Sequence, residues 1–214
     1  MSYQGPSSQE HENTTTETKA IIIAHPYGPL GGNMQNNVVM ALHRWFTAQN
    51  YVTVSFNFRG SGRSSGRTSW TGIPEQHDYQ AVVDSVLANS TRYPKIDKLF
   101  ICGYSYGSMV ASSIRVSIPS AYILISYPLS VRWALAATKA SYFKSQVQEL
   151  LTSTPARVLI VHGDQDQFTS DSSYHSWLAS VDDIQHQVVQ GVDHFWYNQE
   201  EQLVKIVGEF CASQ

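Results

Sequence analysis

The chain predicts an α/β domain, a mostly parallel sheet of about six strands with helices on both faces. Three observations predict it. Short apolar runs alternate with stretches of helical period; most of the runs are apolar at every position, as strands covered on both faces must be; and the alternation continues from Ile21 onward without a break in composition. The 214 residues, 42% of them hydrophobic, suffice for one sizeable core, so a single domain is expected over 19–214.

The elements follow in order. Residues 1–18 are polar, read as a flexible segment, and lack the apolar stretch of a signal peptide. Ile21 to Ala24 form the first strand, and Val38, Leu42, Trp45 and Phe46 mark one face of a helix. The run VTVSFNF, Val52–Phe58, is the second strand; after a loop rich in Gly, Ser and Arg, Tyr79, Val82, Val83, Val86 and Leu87 stripe the second helix. LFIC, Leu99–Cys102, is the third strand and MVASSIRV, Met109–Val116, its helix; AYILISY, Ala121–Tyr127, is the fourth. The stretch 130–155 carries no obvious strand and reads as a short excursion with one or two helices, room for a small lid only. RVLIV, Arg157–Val161, is the fifth strand, HGDQDQF a loop behind it, and IQHQVVQ, Ile184–Gln190, a sixth whose polar positions suit a half-exposed edge. Leu203, Ile206, Val207 and Phe210 give the closing helix its apolar face.

Composition narrows the function. Net charge is −3 with Lys and Arg scattered, so no nucleic-acid footprint is present, and no apolar run approaches bilayer length. A soluble, cytoplasmic protein is expected. Cys102 and Cys211 make no disulfide framework; the C-terminal Cys211-Ala212-Ser213-Gln214 fits the outline of a prenylation site but reads as a helix end.

Parallel sheets of this kind place their chemistry at the carboxyl ends of the strands. Two G-x-S-x-G matches compete there: Gly62-Arg63-Ser64-Ser65-Gly66 and Gly103-Tyr104-Ser105-Tyr106-Gly107. A nucleophile elbow needs a strand running through a sharp turn straight into a helix, which lifts the hydroxyl clear of the sheet. Ser105 has both flanks; Ser64 has neither, since its strand stops at Phe58 and no helix starts before Pro74. The loop from Gly60 to Gly66 also fails as a dinucleotide site, because no helix N-terminus opens there for a pyrophosphate. A serine further needs an imidazole to take its proton and a carboxylate to orient that ring. HGDQDQF offers Asp164 and Asp166, and VDHFW, after the last strand, offers His194. His25 and His162, at strand ends, read as buried hydrogen-bonding residues, and Arg59 and Arg63 as loop anchors rather than binders of an acidic substrate.

These motifs together resemble the α/β-hydrolase family over nearly the whole chain from Ile21. HPYGPLGGNMQNNVV is similar to the oxyanion loop of small dienelactone-hydrolase-like enzymes, FNFRGSGRSSG to their next strand-end loop, GYSYG to the elbow, HGDQD to the acid loop and GVDHFW to the histidine loop. Dienelactone hydrolase itself carries cysteine where this chain has Ser105, and family members usually begin with two more strands than are found here. The resemblance implies Ser105 as nucleophile, Asp166 rather than Asp164 as acid, and His194 as base. It also implies an oxyanion hole from the amides of Tyr106 and Tyr27, with Gly28 the alternative to Tyr27. Tyr27, Trp70, Phe168 and Phe195 are expected on the substrate pocket wall, with Tyr104, Tyr106, Trp133 and Trp196 competing for places. The expected activity is hydrolysis of a small-molecule carboxylic ester or thioester through an acyl-enzyme, with no cofactor and no metal. A triad-based transferase, lyase or cyclase, or a non-catalytic binder on the same fold, are the other readings. An oligomer covering the trimmed sheet edge is the expected partner state.

Overall fold

The sheet begins at β1, Lys19–Ala24, and the chain then wraps helices alternately over its two faces. The computed structural model describes residues 17–88, 91–129, 139–154 and 157–214. After β1 come α1 (Asn37–Ala48), β2 (Val52–Ser55), α2 (Ile73–Ala88), β3 (Lys98–Tyr104), α3 (Tyr106–Ala111) and β4 (Ser120–Ile125). The chain continues through α4 (Ala140–Ser153), β5 (Val158–Gly163), α5 (Asp171–Leu178), β6 (Gln185–Val189) and α6 (Glu200–Ser213). The six strands are all parallel and lie in the order β2-β1-β3-β4-β5-β6.

Alternation along the strands decides which side chain meets which layer. Ala20, Ile22, Leu99 and Ile101 face a core closed by α2, α3, α4 and α5. Ile21, Ile23, Phe100 and Cys102 face the opposite core, closed by α1 and α6. Both faces are therefore dry, as the uniformly apolar strand sequences require. Among the described residues no strand precedes β1, and no helix is long and apolar enough to cross a membrane.

Several elements differ from the sequence expectation. Strand β2 stops at Ser55 because the chain then bends away: the Phe58 amide donates to the ring of His25 instead of a neighbouring strand. Helix α3 ends at Ala111, where the hydroxyls of Ser112 and Ser113 turn back onto the carbonyls of Met109 and Val110. Helix α5 is an addition, capped by Ser170, whose hydroxyl accepts from the Ser173 amide. In the excursion 130–155, α4 supplies one helix; Trp133 lies outside the described residues, as do residues 1–16 of the polar leader. Cys211 is buried within α6.

Candidate active site

The carboxyl ends of β1, β3, β5 and β6 gather the candidate residues. Strand β3 leads into Ser105, which has φ 55° and ψ −122° and stands directly before α3. A non-glycine residue in that region is strained by roughly 1–3 kcal/mol, held there by its surroundings. The glycines explain how: a Cβ on Gly103 would lie 2.2 Å from the Gly107 carbonyl oxygen, and one on Gly107 2.6 Å from those of Ala24 and His25. Only bare backbone fits where β1, β3 and α3 meet.

His194 Nε2 lies 2.9 Å from Ser105 Oγ, and its Nδ1 lies 2.7 Å from Asp166 Oδ2. A carboxylate can only accept, so Nδ1 carries the hydrogen and Nε2 turns its lone pair toward the serine hydroxyl. The other oxygen of Asp166 accepts the amides of Phe168 at 2.8 Å and Thr169 at 3.1 Å, so its orientation is fixed from behind. Asp164 does something else: it takes the Gly191 amide at 2.7 Å and ties the acid loop to the loop after β6. Asp193 caps its own loop by accepting from the amides of Phe195 and Trp196. Two contacts on His194 carry no sequence motif. The Tyr104 hydroxyl donates to the His194 carbonyl at 2.7 Å, and the Gln167 side chain accepts its amide at 3.1 Å.

Ser105 and His194 open into a cleft of about 200 Å³, with Tyr27, Phe168 and Phe195 on its wall. Leu30, inside the stretch similar to an oxyanion loop, and Tyr197, which no motif marks, line it as well. Trp70, expected there, is not among the lining residues and is 76% exposed. The cause lies in Glu75, wholly buried in the first turn of α2, which accepts the Ser69 amide at 2.6 Å and the Ser69 hydroxyl at 2.5 Å. That tether draws the loop onto α2 and leaves Trp70 at a solvent-facing bend. Trp196 is also absent from the wall: it is buried and donates its indole N–H to Ser126 Oγ at 3.0 Å.

The remaining sequence candidates take structural posts. Ser64 donates to the Asn57 carbonyl in a run of turns between β2 and α2. Arg59 pairs with Asp78 at 2.6 Å; burial raises the Asp78 carboxyl, but the guanidinium outweighs it and holds that group below its ordinary range. His25 is buried, its Nδ1 on the Pro26 carbonyl at 2.6 Å and its Nε2 accepting the Phe58 amide at 3.0 Å. Burial depresses its pKa to about 4, against a smaller opposing effect of the Pro26 carbonyl. His162 is buried against Tyr174, rings 3.6 Å apart, with its Nε2 2.9 Å from His186 Nε2. Tyr106 is buried between Tyr27 and Phe58; burial first, and then the Glu75 charge, pushes its phenol far upward.

The family model for an alpha/beta hydrolase domain matches residues 17–205, and the chain belongs to that family. An alpha-beta serine hydrolase homologue from Coxiella burnetii superposes with a TM-score of 0.68 at 26% identity, covering 88% of this chain and 82% of that one. A lidless α/β serine hydrolase from Xanthomonas campestris gives a TM-score of 0.71 at 25% identity, over 94% of this chain and 85% of its own. An uncharacterised protein of Rickettsia prowazekii is 24% identical over 208 residues, 94% of this chain and 81% of that protein.

Proposed function

We propose that the protein is a serine hydrolase that cleaves a carboxylic ester or thioester through an acyl-enzyme. The reading rests on one observation, the unbroken relay from Ser105 Oγ through His194 to Asp166 at 2.9 and 2.7 Å. In the first half-reaction Ser105 Oγ bonds to the acyl carbon while its proton passes to His194 Nε2. The tetrahedral intermediate then expels the alcohol or thiol, which leaves with that proton. Water repeats the sequence on the acyl-enzyme: His194 takes its proton, hydroxide adds to the acyl carbon, and Ser105 leaves reprotonated with the acid released. Asp166 keeps the imidazole in the tautomer both halves need.

Negative charge develops on the substrate carbonyl oxygen, and two amides are proposed to meet it. Tyr106 opens α3, so its N–H has no acceptor one turn back within the helix. Tyr27 lies at the end of the β1 loop on the cleft wall, next to Pro26, which has no N–H to give. Such a donor is worth about 3 kcal/mol in the transition state.

Labelling with a fluorophosphonate serine probe tests the assignment. Wild type and Ser64→Ala are expected to label and Ser105→Ala is not; labelling retained in Ser105→Ala and lost in Ser64→Ala would overturn it. Turnover of short p-nitrophenyl esters by the unlabelled wild type, lost in Ser105→Ala, then separates an enzyme from a binder.

A further inference from the structure

Four large apolar side chains stand markedly exposed among the described residues: Leu30 at 68%, Trp70 at 76%, Phe195 at 41% and Tyr197 at 66%. Three of them, all but Trp70, line the cleft over Ser105. Singly exposed apolar residues need no explanation, but a group gathered round one opening marks a binding surface.

The loop after β6 is built to hold two of those rings in the open. Trp196 and Asn198 both adopt left-handed backbone, φ 60° and 62°, a conformation that asparagine tolerates but that costs the bulky Trp196 free energy. Trp196 is drawn inward by its bond to Ser126. Its neighbours Phe195 and Tyr197 are left outside and stack on each other, centroids 6.1 Å apart with 18° between planes. Asp193 fixes the start of the turn through the Phe195 and Trp196 amides. Phe168 carries the aromatic surface down to the site, edge-on to the His194 ring at 4.4 Å and to Phe195 at 6.1 Å.

Size and charge narrow what this surface accepts. The cleft measures about 200 Å³, and an apolar cavity of about 150 Å³ is enough to take up benzene. No Asp, Glu, Lys or Arg is among its described lining residues. Position decides which half of a substrate the rings meet. The imidazole that removes the Ser105 proton must hand it to the departing oxygen or sulfur, so the leaving group lies on the His194 side, where Phe168 and Phe195 stand.

We propose that the leaving alcohol or thiol of the substrate carries a neutral, flat aryl group packed against Phe168, Phe195 and Tyr197, with a short acyl group over Ser105. The assignment rests on Ser105 acting as the nucleophile of an ester hydrolase. The aryl group takes no part in bond making; it is held while the acyl carbon passes from its oxygen or sulfur to Ser105 Oγ, and leaves with the proton from His194.

The test compares kcat/KM for benzyl acetate, ethyl acetate and ethyl benzoate. Benzyl and ethyl alcohols are similar leaving groups, so their ratio reports packing rather than intrinsic reactivity. Wild type should favour benzyl over ethyl acetate by about tenfold, the scale of a well-packed aromatic contact, and should favour benzyl acetate over ethyl benzoate. In a Phe195→Ala/Tyr197→Ala variant the benzyl-to-ethyl ratio should fall toward one, whatever the absolute rate, while Tyr197→Phe should retain it. A wild-type ratio near one, a ratio unmoved in the double variant, or a preference for ethyl benzoate would each overturn the aryl assignment while leaving the hydrolase intact. If all three esters are inert and the fluorophosphonate probe fails to label, the hydrolase reading itself has failed. If the three esters are inert but the probe labels Ser105, benzyl alcohol titrated into Ser105→Ala judges the aryl slot by NMR: shifts in the Phe195 and Tyr197 ring signals support it, and their absence overturns it.

Discussion

Asp164 and Asp166 carry the same side chain on the same short loop, and geometry gives them different work. Asp166 meets the His194 ring while Asp164 holds the Gly191 amide. Replacing Asp166 by Asn puts an amide N–H against Nδ1 and forces the hydrogen onto Nε2, the wrong nitrogen for accepting the serine proton. Asp166→Asn is therefore expected to lower kcat by about ten-thousand-fold. Asp164→Asn keeps an acceptor for Gly191 and should cost far less; steady-state turnover of one activated ester by both variants checks the order. Ser105 and His194 could be read from sequence because each sits in a local pattern, a strand end followed by a turn. Trp70 and Tyr197 could not. The first is displaced by a buried carboxylate at Glu75, and the second is exposed by left-handed backbone at Trp196 and Asn198, where no glycine advertises it.

At the level of the elements, the junction of β1, β3 and α3 is the most exacting. Gly107→Ala would press a methyl to 2.6 Å from two backbone carbonyls that belong to β1 and its exit loop. It is expected to lose about 1–3 kcal/mol, as overpacked sites do, and to slow fluorophosphonate labelling because the elbow must shift to relieve the clash; urea unfolding and labelling rates measure the two effects. The order of strands and most helices was legible because apolar runs of two distinct periods alternate. Helix α5 was not, since Tyr174 and Leu178 are its buried residues and its serine-rich remainder carries little periodic signal. The ends of β2 and α3 were overrun for a related reason: Phe56 to Phe58 and Ile114 are buried or half-buried without belonging to a strand or helix, so burial alone overstated regular structure.

Across the whole molecule, acid should act through buried imidazoles. His25 titrates at about 4 in the fold against 6.5 when unfolded, so the unfolded chain binds the extra proton between those values. Its contribution is intact above about pH 6.5, erodes as pH falls from there toward 4, and amounts to something on the order of 3 kcal/mol. His186, depressed to about 4 by burial and then by the charges of His162 and His175, acts with the same sign. Urea midpoints should thus fall steeply from pH 7 to 4.5, and less steeply in His25→Gln, which lacks the titrating ring. The site itself straddles the sheet, with Ser105 behind the inner strand β3 and His194 behind the outermost strand β6, 89 positions later. Strand β6 is an edge of the sheet, half-exposed and held within it through β5 alone, as β2 is held through β1 at the other edge. The proposed relay consequently depends on one margin of the sheet: peeling β6 away from β5 is expected to extinguish turnover while the bulk of the interior stays assembled, so that loss of activity would precede loss of structure on the way to denaturation.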